Sequence, residues 1–315
     1  MNHVLCGLAR NPALGAELVD QLITMVDEDI AADLVERADL TRAQAVALAP
    51  RIEQSIVRLV ARGLLMADDI DPVARPDAAL AVLADGGGYA AWARWLAADP
   101  SVGRRERLAT CPGLPGDVRE LLAADGDLRV VAELALWTTP DTAALLAEHP
   151  HAEVRCAVAG NEATPPQVLA ALITAEGVDP ARSCLVCDRV ATPFAHDPHC
   201  PEPDCDLPPG ASCDGSHEST VHETQLRALR NPATPTAAVI GFADHPSMLL
   251  RQQLAARPDL PPATYEHLAG APEPGVRATL AQNPAIGDRL IGEWPPTPAT
   301  TSNAASRTIP GCRWR

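Results

Sequence analysis

The sequence predicts an all-α fold, an α-solenoid of about 25-residue helical repeats carrying one irregular, metal-stapled insertion. Three observations lead there: a composition rich in small aliphatic residues, a Pro-marked phrase that recurs at fixed spacing, and one Cys/His cluster. Of the 315 residues 47% are apolar but only 3% are aromatic. Ala and Leu in that balance suit close helix-on-helix packing better than a sheet core, which favours β-branched and aromatic residues.

The recurring phrase runs from a short apolar segment through Asn-Pro or a variant to Thr-Pro or Leu-Pro, and then a Leu-rich stretch. It reads AVAGNEATPPQVLAAL around Asn161, RALRNPATPTAAVIGF around Asn231, QLAARPDLPPATYEHL around Pro258 and TLAQNPAIGDRLI around Asn283. Pro115, Pro140 and Pro165 are spaced by 25 residues, and Pro232, Pro258 and Pro284 by 26. A second phrase lies half a repeat away, in ADPSVGRRERLA, EHPHAEVRCAVA, DHPSMLLRQQLA and GAPEPGVRATLA. Pro cannot continue a helix and turns the residue before it out of the α region. Asn, Asp and Thr beside it are expected to cap the next helix, and Pro suits a first helical turn. Each unit therefore reads as two short helices, neither able to bury its apolar face until neighbours stack on it.

The chain divides accordingly. Residues 1–98 are helical with degenerate repeats, LARNPALGAELVDQLI being a first copy, and residues 99–177 are regular repeats. Residues 178–221 form the insertion, residues 222–293 resume the repeats, and residues 294–315 are a Pro/Thr/Ser-rich tail expected to be disordered. The period and wording resemble the leucine-rich repeat variant family, most closely over residues 153–172 and 226–291. That resemblance implies a right-handed superhelix; a generic HEAT-like array is the nearest competing description.

From Asn161 to Asn231 is 70 residues where about 25 are expected from the period. The extra segment is rich in Pro and Asp, poor in Leu, and lacks the apolar residues to fold on its own core. Cys184 and Cys187 form a C-x2-C pair, Cys200 and Cys205 a C-x4-C pair, and Cys213 and His217 a C-x3-H pair. His196 and His199 lie just upstream of Cys200. A C-x2-C turn lets two thiolates converge on one ion, a second pair closes a tetrahedron, and metal binding supplies the missing folding energy. The spacing favours zinc, with an Fe–S cluster as the alternative and room for two metals. The stretch Cys213-Asp214-Gly215-Ser216-His217 resembles the signature of CDGSH iron–sulfur proteins. That likeness implies a [2Fe–2S] cluster with Cys213 and His217 among its ligands. The C-x-C pair that family carries upstream is missing here.

Other features narrow the function. All 25 basic residues are Arg, which excludes a P-loop lysine and a Schiff-base lysine. A formal charge of −16 disfavours nucleic acid and anionic membranes as partners. No apolar run reaches the ~18 residues of a membrane span, and the N-terminal text lacks a secretion signal, so a cytoplasmic protein is expected. Cys6, Cys111 and Cys156 read as small core residues, while Cys312 falls in the tail. His149 and His245 share a repeat position before Pro150 and Pro246, a matter of repeat consensus near a helix start. Arg105, Arg155, Arg251 and Arg277 each follow a matching Pro by five residues and should form a ladder. Pairing of each with a neighbouring carboxylate or helix end is favoured over an anion-binding stripe. No hydrolase, metalloprotease or nucleotide-binding motif appears. The expected function is a non-catalytic scaffold that binds a partner protein, with an iron–sulfur redox or iron-sensing regulator as the second reading.

Overall fold

The computed structural model describes residues 2–25, 28–52, 55–188, 216–292 and 294. Their regular secondary structure is helical, and they separate into two compact units, one up to residue 137 and one from residue 138. The first unit holds α1 (Asn2–Arg10), α2 (Ala16–Met25), α3 (Glu28–Val35), α4 (Arg42–Leu48), α5 (Ile56–Ala61) and α6 (Pro76–Ala84). It continues with α7 (Ala90–Ala97), α8 (Val102–Ala109), α9 (Gly116–Ala123) and α10 (Leu128–Trp137). The second holds α11 (Pro140–Leu146), α12 (Ala152–Gly160), α13 (Pro166–Thr174), α14 (Glu218–Arg230) and α15 (Thr236–Val239). It ends with α16 (Met248–Ala255), α17 (Pro262–Ala269), α18 (Pro274–Ala281) and α19 (Asp288–Gly292).

Within each unit a helix packs on the next but one, as repeats require: α1 on α3, α2 on α4 and α8 on α10 in the first, α12 on α14 and α16 on α18 in the second. The cores are aliphatic, as the composition implies. Leu34, Leu59, Leu96, Leu108 and Leu122 are sealed in the first unit, and Leu229, Leu250, Leu254, Leu268 and Leu280 in the second.

Pro fixes where helices begin, at Pro140, Pro166, Pro262 and Pro274 in their first positions. The Asn of the phrase does something other than cap the following helix. Asn161, Asn231 and Asn283 each accept, through Oδ1, the backbone N–H two residues on, at 2.9–3.0 Å, and so build the turn. Their Nδ2 groups reach backward. Asn231 donates to the carbonyls of Ala159 (3.1 Å) and Asn161 (2.8 Å), and Asn283 to those of Ala255 (2.9 Å) and Arg257 (2.7 Å). The helices that follow Asn161 and Asn231, α13 and α15, start from Pro165 and Pro235 with no side-chain cap.

Arg fills the same position in other repeats and makes the same backward reach. Arg257 donates to Leu229 O (3.0 Å), Asn231 O (3.1 Å) and Thr234 O (2.9 Å), Arg37 to Ala9 O (3.0 Å) and Asn11 O (2.7 Å), and Arg62 to Val35 O (2.6 Å) and Arg37 O (2.7 Å). Ala9, Val35 and Leu229 lie in the last turns of α1, α3 and α14, where a carbonyl lacks an intrahelical donor, and the other acceptors lie in the turns that follow, so one side chain ties a helix end and its turn to the next repeat.

Candidate metal centre

After α13 the chain turns through Ala175 and Gly177, both in the left-handed region (φ 58° and 74°). Gly takes that conformation without strain. The chain then folds back on the N-terminus of α12. Arg182 and Ser183 donate their N–H groups to Pro150 O (2.7 and 3.3 Å), and Ala152 donates to Ser183 O (2.9 Å). Ala152 opens α12, so its N–H has no acceptor within the helix, and the incoming strand supplies one.

That docking delivers Cys184, which is fully buried. A turn closed by Asp188 N donating to Cys184 O (3.0 Å) then returns Cys187 to its side, and Cys187 N also donates to Cys184 Sγ (3.4 Å). The two sulfurs stand 3.7 Å apart, with Cys187 the more exposed. His217, buried and held at φ 54°, sits immediately before α14. Its Nδ1 lies 3.4 Å from Cys187 Sγ and its Nε2 lies 3.1 Å from Ala181 O. A nitrogen facing a carbonyl is the protonated one, so Nδ1 turns its lone pair toward the thiols.

The three donor atoms lie within 4.8 Å of one another. A tetrahedral zinc with its usual bond lengths needs sulfurs about 3.8 Å apart and sulfur and nitrogen about 3.6 Å apart. The spacings of 3.7 and 3.4 Å fit a single ion. A [2Fe–2S] cluster divides four ligands between two irons, so three donors gathered at one point match it less well.

Of the six ligands expected from sequence, the structure thus brings together Cys184, Cys187 and His217. Cys200, Cys205 and Cys213 lie outside the described residues, as do His196, His199 and Cys312. A supporting layer was not singled out in the sequence. His151 accepts Glu153 N through Nδ1 (3.2 Å) and pairs through Nε2 with Asp188 Oδ2 (3.1 Å), next to Cys187. Its only signal was its place after Pro150, where Ser101, Ser247 and Glu273 stand in other repeats. Thr220, in the first turn of α14, donates to Glu153 Oε1 in the first turn of α12 (3.0 Å).

The remaining constellations have structural roles. Arg105 clamps Asp125 with two bonds (2.6 and 3.0 Å) and donates to Asp99 O (2.8 Å). Arg155 donates to the carbonyls of His149 (2.6 Å), Glu148 (3.3 Å) and Asp179, and Arg251 pairs with Glu273 and donates to His245 O. Arg277 donates to Ala271 O (2.5 Å) and Pro272 O (2.9 Å). Arg105, Arg155 and Arg251 thus reach chain beyond their own helix and turn, whereas Arg277 bonds to the turn before its own helix. His149 and His245 accept, through Nδ1, the N–H groups of His151 (3.1 Å) and Ser247 (3.0 Å), where Asp99 and Asp125 serve elsewhere with a carboxylate. Burial holds both imidazoles below the ordinary histidine range, which favours the neutral acceptor. Cys111 and Cys156 are buried as expected, and burial pushes both thiols up to about 11.

No protein-family model matches the chain, and no curated protein matches it. Among solved structures, one described as a leucine-rich repeat variant with a novel repetitive protein structural motif aligns over 82% of this chain and 87% of its own. The identity is 16% and the TM-score 0.44.

Proposed function

We propose that the chain is a non-catalytic scaffold that presents its repeats to a partner protein and carries a structural zinc centre. Cys184, Cys187 and His217 would hold the ion, with a fourth ligand from Cys200, Cys205 or Cys213. The observation that carries the metal reading is the meeting of two thiols and an imidazole nitrogen, from sequence positions 30 residues apart, at tetrahedral spacing. The imidazole is already oriented by a backbone carbonyl, the outer-layer support that metal-binding histidines characteristically have. Stacked repeats leave an extended surface suited to another protein. The charge of −16 argues against nucleic acid and anionic membranes. No described helix is long and apolar enough to cross a membrane. We place the protein in the cytoplasm, where thiolates remain available as ligands.

The second reading, an iron–sulfur redox or iron-sensing regulator, is favoured by the run Cys213-Asp214-Gly215-Ser216-His217. Metal analysis of anaerobically purified full-length protein separates the two. Zinc at one or two equivalents in a colourless protein supports the scaffold reading; iron with visible absorption replaces it with the regulator. Protein free of both metals overturns both. For the partner, affinity purification with and without residues 178–221 tests whether the insertion takes part in recognition. An unchanged partner set excludes it.

A further inference from the structure

We infer that the metal centre is a clasp for one joint of the repeat array, holding the N-terminal ends of α12 and α14 together across the insertion. This rests on reading Cys184, Cys187 and His217 as metal ligands. It goes further by naming what the metal couples.

Two other joints are closed at their N-terminal ends by an ion pair. At one of them the Arg of one helix reaches a carboxylate in the turn before the next stacked helix: Arg105 takes Asp125, ahead of α10. At another, Arg251 takes Glu273, ahead of α18. At the α12–α14 joint the matching Arg155 meets Asp179 O, in chain that is leaving the stack for the insertion. The turn that should precede the next helix is replaced by helix. α14 has 13 residues where α12 has 9 and α16 has 8. Aligned at Asn161 and Asn231, the surplus falls at the N-terminus of α14, where the carboxylate-bearing turn would be.

The C-terminal end of this joint is closed in the ordinary way, by Asn231 on Ala159 O and Asn161 O. The N-terminal end is tied differently. The 181–188 segment is fixed to α12 by the bonds between Pro150, Ala152, Arg182 and Ser183, and by His151 on Asp188. His217 begins α14. An ion shared by Cys184, Cys187 and His217 therefore joins a strap anchored on α12 to the first turn of α14, beside the Thr220–Glu153 bond. In a linear array each helix pair is held only by its neighbours, so loosening one joint end exposes that joint alone.

Hydrogen exchange of the full-length zinc-loaded protein, before and after chelation, tests this. The amides of Ala152, Arg182, Ser183 and Val221 should exchange at least about tenfold faster once the metal is removed, with α16 and α18 unchanged. The variant Thr220→Val should leave the zinc-loaded protein nearly as protected as the parent and open the joint further only after chelation. If the metal is present at stoichiometry and its removal speeds exchange only within 181–188, or nowhere, the clasp is overturned while the zinc reading stands. If metal analysis finds no metal, the zinc reading fails first and the clasp falls with it.

Discussion

Replacing Asn231 by Ala should be among the most destabilising single changes available outside the aliphatic core. The side chain makes three hydrogen bonds: to Ala159 O at 3.1 Å, to Asn161 O at 2.8 Å, and from Ala233 N at 3.0 Å. It is 3% exposed, so the carbonyls it leaves cannot readily turn to water. At roughly 1 kcal/mol per bond the loss is about 3 kcal/mol. Asn11 stands in the first copy of the same phrase but is exposed, and among the described residues its side chain forms only the turn bond, from Ala13 N at 2.9 Å. Asn11→Ala should then cost about 1 kcal/mol or less. Urea unfolding of both variants and the parent, followed by circular dichroism in one zinc-containing buffer, gives the comparison. A third variant sharpens it. Asn231→Asp keeps the turn-building oxygen but points a carboxylate at two carbonyl oxygens, so it should be less stable than Asn231→Ala at neutral pH. The inter-repeat lock is refuted if Asn231→Ala costs no more than Asn11→Ala, or if Asn231→Asp behaves like the parent.

Three other outcomes follow from the same contacts. Arg257→Lys should not rescue the joint held by Arg257, because one ammonium cannot span Leu229 O, Asn231 O and Thr234 O while holding Asp259; a urea midpoint close to that of Arg257→Ala checks it. Stability should fall as pH drops below about 6.5, the ordinary histidine value. The unfolded chain takes up protons at His149 and His245 there, while the folded chain, with both values depressed, resists. The double variant His149→Asn, His245→Asn keeps an acceptor at each turn and should flatten that slope in urea titrations between pH 7.5 and 5. Cys111 and Cys156, buried with thiols raised to about 11, should resist a thiol reagent in the native protein and react only on unfolding, as quantified by mass spectrometry.

The helical class and the repeat period were legible because Pro leaves a mark at every helix start, as at Pro140, Pro166 and Pro262. The lock was harder to see because two chemically unlike side chains fill it. Asn161 and Arg257 share no propensity and little shape; the 26-residue spacing aligns Arg257 with Asn231, but only the carbonyls they reach show that they do the same work. That disguise is also why residues 1–98 read as degenerate, although Arg37 and Arg62 hold their repeats as Arg257 does. In the metal centre the thiol pair was plain from its spacing, and His217 from its place in C-x3-H. His151 and Asp188 were not, since a cap and its partner 37 residues away leave no pattern in one sequence. The role of Ala181 is carried by a carbonyl, which every residue possesses.

The chain leaves the stack after Thr174 and re-enters it at His217, yet Asn231 bonds to Ala159 and Asn161 as though nothing intervened. The C-terminal ends of α12 and α14 are thus joined by contacts that do not depend on what lies between residues 188 and 217. Each doubling of a flexible connection costs only about 0.6 kcal/mol in closure entropy. Added length between residues 188 and 217 is therefore tolerated by the array, provided that the residues holding the metal are kept. The joint is a natural port, where a reporter domain or a longer recognition loop could be carried by the array with the neighbouring repeats in register.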